Sequence, residues 1–292
     1  MPSSRPPVGF LGLGIMGLAM ARNAAAAGFP VRVWNRGEEG RARARALGLD
    51  VADSPRDVAA TADSVVVMVT DPAAVDAVLT DPRGALEADV RGKVLVQMST
   101  IDEPSTLRFA ERAGAAGMHY LDAPVAGSKP LAERGQVIVL AGGEAEVLER
   151  ARPLLQALGK AIVHAGPVGR GTALKLAMNV LVAHMTTGLC EAAALARASG
   201  VAVERVFDVL DASPALHCGY FDAKKPAMLQ GDFSPQFSLA NILKDVRFAE
   251  AAAARGGRRL PVTAAVRALL EAGVAAGHGS RDLTSITRVL EA

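Results

Sequence analysis

Apolar residues in the first half of the chain come in short unbroken runs, each bounded by glycine, proline or a polar cluster. Residues 8–11, 31–34, 64–69, 94–98, 119–122, 137–140 and 162–164 read as strands, with a shorter one at Val51. Runs without polar alternation are those of strands buried on both faces. Helical signals lie between them: an alanine-rich segment over 16–27 stopped by Gly28, helices opened by Ser54-Pro55 and by Asp71-Pro72, and another over 103–113. Such alternation predicts a doubly wound, mostly parallel α/β sheet. After Gly166-Pro167-Val168-Gly169 the pattern changes. Residues 172–198 contain no proline and a single glycine, Gly188, with apolar positions at helical spacing, so one long helix is expected. Helices follow to the end, punctuated at Gly200, Ser213-Pro214, Gly231, Gly256-Gly257 and Gly277. The chain is therefore expected to divide into an α/β domain over 1–165 and an all-α domain over 166–292, joined by the long helix.

The first strand runs directly into Gly12-Leu13-Gly14-Ile15-Met16-Gly17 and then a helix. In that context Gly-x-Gly-x-x-Gly is a dinucleotide site. The first glycine makes the tight turn, the second lets the backbone approach a pyrophosphate, and the third lets the helix pack on its strand. These six residues are the expected phosphate cradle of a Rossmann-type domain. At the end of the second strand, where a carboxylate would bind the adenosine ribose of NAD, stand Asn35 and Arg36. A guanidinium there suits a ribose 2′-phosphate, so NADPH is expected in preference to NADH. Ligands of open α/β sheets lie beyond the carboxyl ends of the strands, which brings Thr70, Ser99-Thr100 and the loop 124–130 to the nicotinamide. Ser99-Thr100 could equally cap the helix at Glu103.

A net charge of +2 with interspersed signs gives no electrostatic case for nucleic acid. Half of the residues are hydrophobic, enough for a sizeable core, yet no run of eighteen uncharged apolar residues suggests a membrane span. Residues 1–7 lack the apolar core of a signal peptide, and Cys190 and Cys218 form no disulfide or metal spacing, so a soluble cytoplasmic protein with reduced thiols is expected. His119, His164, His184, His217 and His278 share no ligand spacing, and no metal is expected.

Four motifs in order resemble the β-hydroxyacid dehydrogenases, the family of 3-hydroxyisobutyrate dehydrogenase, tartronate semialdehyde reductase and the glyoxylate/succinic semialdehyde reductases. They are Gly12 to Gly17 with Met20-Ala21-Arg22-Asn23; Asp122-Ala123-Pro124-Val125-Ala126-Gly127-Ser128; Gly169 to Asn179; and Phe237-Ser238-Leu239 with Lys244-Asp245. Trp34-Asn35-Arg36, Gly127-Ser128-Lys129-Pro130 and Phe237 resemble the glyoxylate/succinic semialdehyde branch. The resemblance implies Lys175 as general acid and base, Gly127, Ser128, Asn179 and Phe237 at the substrate, and Lys244 beside the cofactor. It also implies a homodimer or homotetramer. Lys175 and Asn179, four apart, project from one helix face, and an ammonium stabilises a developing alkoxide. Asp245 is expected to orient neighbouring helices. Ala126 departs from the pattern, standing where a serine is usual, and leaves the substrate open. The reading expected is an NADPH-dependent reductase of short aldehyde or keto acids. A 3-hydroxyisobutyrate or tartronate semialdehyde-type dehydrogenase, an imine reductase and a non-catalytic NADP-binding module are its rivals.

Overall fold

The computed structural model describes residues 5–291. In the first half the chain runs β1 (Val8–Leu11), α1 (Ile15–Ala26), β2 (Val31–Trp34), α2 (Glu38–Ala46), β3 (Asp50–Val51), α3 (Pro55–Thr61), β4 (Ser64–Val67), α4 (Pro72–Thr80), β5 (Val94–Gln97), α5 (Glu103–Ala115) and β6 (His119–Asp122). It continues through β7 (Val125–Ala126), α6 (Lys129–Glu133), β8 (Val137–Gly142), α7 (Ala145–Leu158) and β9 (Gly159–Gly166) into the long α8 (Arg170–Ala198). Each expected strand is present, and the helix starts follow the expected chemistry. Ser54 and Asp71 accept hydrogen bonds from Asp57 N (3.2 Å) and Ala74 N (2.9 Å), with proline in the first turn of each helix. The cap of α5 is Asp102, which accepts from Ser105 N at 2.9 Å, so Ser99 and Thr100 are not its cap.

Strands β1 to β6 are parallel in the order 3-2-1-4-5-6, and the order reverses between β1 and β4. That reversal opens a crevice at the carboxyl ends of these two strands. Beyond β6 the sheet is not parallel: β8 pairs antiparallel with β6 and β7, and β9 then pairs parallel with β8. Only the short α6 separates β7 from β8, too little chain for a crossover, so the strand folds back. The sequence pattern had not marked α2, α6 or α7.

Alternate strand residues feed two cores. Phe10, Val66, Val96 and Leu121 pack with α1 and α7 on one face, and Leu11, Val65, Val67 and Leu95 pack with α3, α4 and α5 on the other. The chain divides into two compact units, Met1–Lys175 and Leu176–Ala292. The first turns of α8 belong to the sheet unit because that unit holds them, as described below.

The second unit comprises the rest of α8, α9 (Val203–Ala212), α10 (Gly219–Asp222), α11 (Lys225–Gln230), α12 (Leu239–Arg255), α13 (Pro261–Gly273), a π-turn at Val274–His278, a 3-10 turn at Leu283–Ile286 and α14 (Thr287–Leu290). Its core gathers Ala183, Cys190, Leu239, Ile242, Val246, Leu270 and Ile286. Burial pushes the Cys190 thiol up to about 11, which makes it a packing residue and not a nucleophile. By length and composition α8 could cross a membrane, with a window of mean hydropathy 1.3, but 39% of that window is buried in the protein. Thr172, Asn179, Thr186 and Thr187 are buried along it, as in the core helix of a globular unit.

Candidate active site

The turn after β1 separates glycines that the fold needs from one that it does not. Gly12 has φ +99°, and a Cβ there would lie 2.2 Å from Met68 O. A Cβ on Gly17 would lie 2.1 Å from Gly12 O, so α1 can approach β1 only through glycine. A Cβ on Gly14 would meet no atom within 4 Å. Nothing among the described residues requires Gly14 to be small, whereas a ligand lying against the backbone would. Gly14 caps α1 without a side-chain hydrogen bond, and no acidic residue occupies the first turn of α1. The first amides of the helix, on Ile15, Met16 and Gly17, have no intrahelical acceptor and suit an anion. This cradle fits the pyrophosphate of a nicotinamide dinucleotide.

Asn35 closes the cradle from β2. Its Oδ1 accepts from Leu13 N at 3.0 Å and its Nδ2 donates to Gly37 O at 3.0 Å, so Leu13 and Asn35 set the turn through each other. Among the nearby arginines, Arg41 and Arg45 pair with Glu38 at 2.6 Å, and Arg43 pairs with Glu39 at 3.8 Å. Those arginines hold the Glu38 carboxyl below its usual range. Arg36 is exposed and makes no hydrogen bond or ion pair among the described residues. Across the crevice, Ser99 Oγ accepts from Val69 N at 2.8 Å, while the Gln97 side chain bonds both Ser99 N and Ser99 O. That network locks the ends of β4 and β5 together. Thr70 is exposed, with its hydroxyl on Asp71 at 2.8 Å, and Thr100 is half-buried.

Lys175 is half-buried in the second turn of α8, and the start of that helix is fixed by a residue the sequence did not single out. Asp122, wholly buried at the end of β6, accepts from Gly169 N at 2.8 Å and Thr172 N at 2.7 Å. Burial pushes the Asp122 carboxyl above its usual range, and the bonds from Gly169 and Thr172 offset only part of that effect. Thr106 Oγ1 lies 3.1 Å from Thr172 Oγ1, and Arg170 pairs with Glu103 at 3.1 Å. A Cβ on Gly171 would lie 2.3 Å from Leu140 O, so the helix enters pressed against the sheet. No local signal points to Asp122, since its partners lie 47 and 50 residues away. After β7, Gly127 has φ +147° and is exposed, and the half-buried Ser128 makes no side-chain hydrogen bond as the cap of α6.

In the helical unit, Asn179 is 2% exposed and donates through Nδ2 to Asp245 Oδ2 at 2.6 Å. Lys244 Nζ bonds the other oxygen of Asp245 at 2.7 Å and lies 5.0 Å from the Phe248 ring centroid. Asp245 therefore orients α8 and α12 through Asn179 and Lys244. Phe237 is half-buried in the loop before α12 and packs on the helical core. The structure also gathers Asp211, His217 and Asp222, which the sequence reading did not. Lys225 bonds both carboxylates, at 2.8 and 3.0 Å, so this surface cluster already contains its cation.

Comparison with known proteins agrees with this geometry. Residues 7–166 match the NAD binding domain of 6-phosphogluconate dehydrogenase, and residues 169–290 match the NAD-binding domain of NADP-dependent 3-hydroxyisobutyrate dehydrogenase. The chain is 34% identical over 284 residues to glyoxylate/succinic semialdehyde reductase 1 of Arabidopsis thaliana, covering 97% of this chain and 98% of that protein. It superposes on 3-hydroxyisobutyrate dehydrogenase of Salmonella typhimurium with a TM-score of 0.90 at 25% identity, covering 98% and 100% of the two chains. The corresponding enzyme of Mycobacterium tuberculosis gives a TM-score of 0.86 at 30% identity, covering 98% and 99%. The chain belongs to the β-hydroxyacid dehydrogenase family, as an NAD(P)-dependent oxidoreductase acting on CH–OH groups.

Proposed function

We propose that the protein is an NADPH-dependent, reversible reductase of short aldehyde or keto acids such as glyoxylate or succinic semialdehyde, with Lys175 as its general acid and base. The observation that carries this reading is the anchoring of Lys175. Buried Asp122, at the end of β6, fixes the first turn of α8, and with it the direction of the helix that carries half-buried Lys175 in its second turn. The identity to a glyoxylate/succinic semialdehyde reductase supports the substrate class, and the uncommitted guanidinium of Arg36 supports NADPH over NADH. NADPH, when bound, supplies the hydride that reduces the carbonyl carbon.

The chain's own residues supply the rest. Gly14 and the first amides of α1 hold the pyrophosphate, and Ser99 keeps the ends of β4 and β5 in register beneath the nicotinamide, with Thr70, Thr100 and Lys244 beside it. Ser128 Oγ and the backbone at Gly127 bind the substrate carboxylate, Asn179 fixes the substrate through its amide, and Phe237 bounds its apolar side. Lys175 Nζ gives its proton to the carbonyl oxygen during reduction and removes it during oxidation. The thiols Cys190 and Cys218 are unpaired, which suits a reducing compartment such as the cytoplasm. Leu181, Leu195, Val209 and Leu216 expose half or more of their surface on the helical unit, and we assign that surface to a homodimer or homotetramer contact.

Lys175→Ala tests the assignment. NADPH binding should persist while kcat falls about 10²- to 10⁴-fold, as for a lost general acid. Wild-type turnover of glyoxylate and succinic semialdehyde by that variant would refute it, and would favour a non-catalytic binding module.

A further inference from the structure

A second set of buried polar residues in the helical unit has no part in the chemistry described above. Lys224 and Asp282 are 4% and 2% exposed, and Lys224 Nζ bonds both oxygens of the carboxylate, at 3.1 and 3.2 Å. The same carboxylate gathers backbone donors. Oδ2 accepts from Gln236 N at 3.2 Å and Phe237 N at 3.3 Å, and Oδ1 accepts from Thr284 N at 3.2 Å and Thr284 Oγ1 at 2.9 Å. The backbone around Asp282 holds the loop as well, since Asp282 N donates to Phe233 O and Leu283 N donates to Phe237 O, both at 3.0 Å. Gln236 and Phe237 are thus tied to the buried carboxylate itself, and Phe233 and Phe237 to the backbone beside it. On its other side Lys224 lies 5.6 Å from the Tyr220 ring centroid, and the Tyr220 hydroxyl is hydrogen-bonded to Thr186 on α8.

A buried ion pair is a poor way to stabilise a helical core, because apolar residues of the same volume often do as well or better. Its advantage is in specification, since a carboxylate that must satisfy this set of donors permits one loop conformation. We propose that Lys224 and Asp282 are positioning residues that set the loop carrying Phe237, and through it the fit of the substrate. This inference rests on the reading of Phe237 as a substrate residue. Neither side chain need touch the substrate. Thr186 and Tyr220 connect the same device to α8, two turns beyond Asn179, so one polar network sets both Asn179's helix and the Phe237 loop.

The test compares Lys224→Met, Lys224→Arg and Phe237→Ala, using succinic semialdehyde or glyoxylate, whichever the wild type reduces faster. Lys224→Met should raise the KM for that acid about tenfold with kcat and NADPH affinity nearly unchanged, and Lys224→Arg should restore most of the loss. Amide hydrogen exchange in a peptide spanning residues 233–239 should quicken in Lys224→Met and not in Lys224→Arg. Asp282→Glu, which keeps the charge but displaces the loop, takes the same measurements should Lys224→Met fail to fold. A raised KM in Phe237→Ala beside an unchanged KM in folded Lys224→Met overturns the positioning role alone. An unchanged KM in both overturns the reading of Phe237 together with it.

Discussion

Replacing Asp122 with asparagine tests how the sheet unit aims the helix that carries Lys175. The native carboxylate accepts from Gly169 N at 2.8 Å and Thr172 N at 2.7 Å, and asparagine can satisfy only one of these while its NH2 faces the other N–H. A hydrogen bond to a charged group contributes about 1.5–3 kcal/mol, and relief of burying the charge offsets part of it, so the net loss at neutral pH should be about 1–3 kcal/mol. The pH dependence has a definite sign. Burial raises the native Asp122 pKa above its unfolded value of 3.8, so between those two values the native state binds more protons than the unfolded state. Wild-type stability contributed by this group therefore falls as pH rises through that window and is flat above it. Asparagine lacks this contribution, so the stability gap between wild type and variant should be widest below pH 3.8 and narrow as pH rises. Urea midpoints of both proteins across that range measure the gap. Loosening the start of α8 should also misplace Lys175 and lower kcat about 10- to 100-fold without changing the KM for NADPH. A variant equal to wild type in midpoint and kcat, or a gap that widens with pH, would refute the reasoning.

Gly14→Ala should keep the wild-type stability to within about 1 kcal/mol and weaken NADPH binding about 10- to 100-fold, because its methyl would meet only the ligand. Gly17→Ala, whose methyl would lie 2.1 Å from Gly12 O, should instead cost about 1–3 kcal/mol of stability; the reverse order would remove the distinction drawn between the two glycines. Arg36→Ala should raise the KM for NADPH about 10- to 100-fold, the equivalent of one charged hydrogen bond, and leave that for NADH unchanged. Wild-type protein that uses NADH as well as NADPH would refute the assignment of Arg36 to the 2′-phosphate. Sedimentation at micromolar concentration should give a dimer or tetramer, and a monomer would leave Leu195 and Val209, 69% and 62% exposed, without the covering assigned to them.

What the sequence revealed and what it concealed divide along the range of the interactions. Strands β1 to β6 were legible because each is a local run of apolar residues, and the caps at Ser54 and Asp71 were legible because each side chain meets an amide three residues away. The dinucleotide turn was legible for the same reason. Its pattern of glycines also marked Gly12 and Gly17 as the two the fold demands, and the clashes with Met68 O and Gly12 O bear that out; only the identity of Met68 as the neighbour of Gly12 had to wait for β4 to pair with β1. The antiparallel return through β7 and β8 was concealed because a buried strand has the same composition in either direction. Asp245 was read as orienting neighbouring helices and does so through Asn179, but Asp122 and Asp282 escaped a reading of the residues because each gathers partners from distant elements, and a single buried carboxylate has no periodicity.

These three carboxylates have a common logic. The chain builds its frame from small apolar residues, which pack closely but tolerate sliding, since alanine and valine surfaces offer few unique fits. A buried carboxylate satisfied by backbone amides, or by side chains from two helices as at Asp245, does not slide, because any shift leaves a donor or an oxygen unpaired at about 1–3 kcal/mol. Asp122 fixes the origin of α8, Asp245 fixes Asn179 and Lys244, and Asp282 fixes the loop of Phe237. Each stands behind a residue assigned here to proton transfer, cofactor or substrate. On this reasoning the residues that carry the chemistry tolerate changes in the apolar packing around them far better than changes in the carboxylates that aim them.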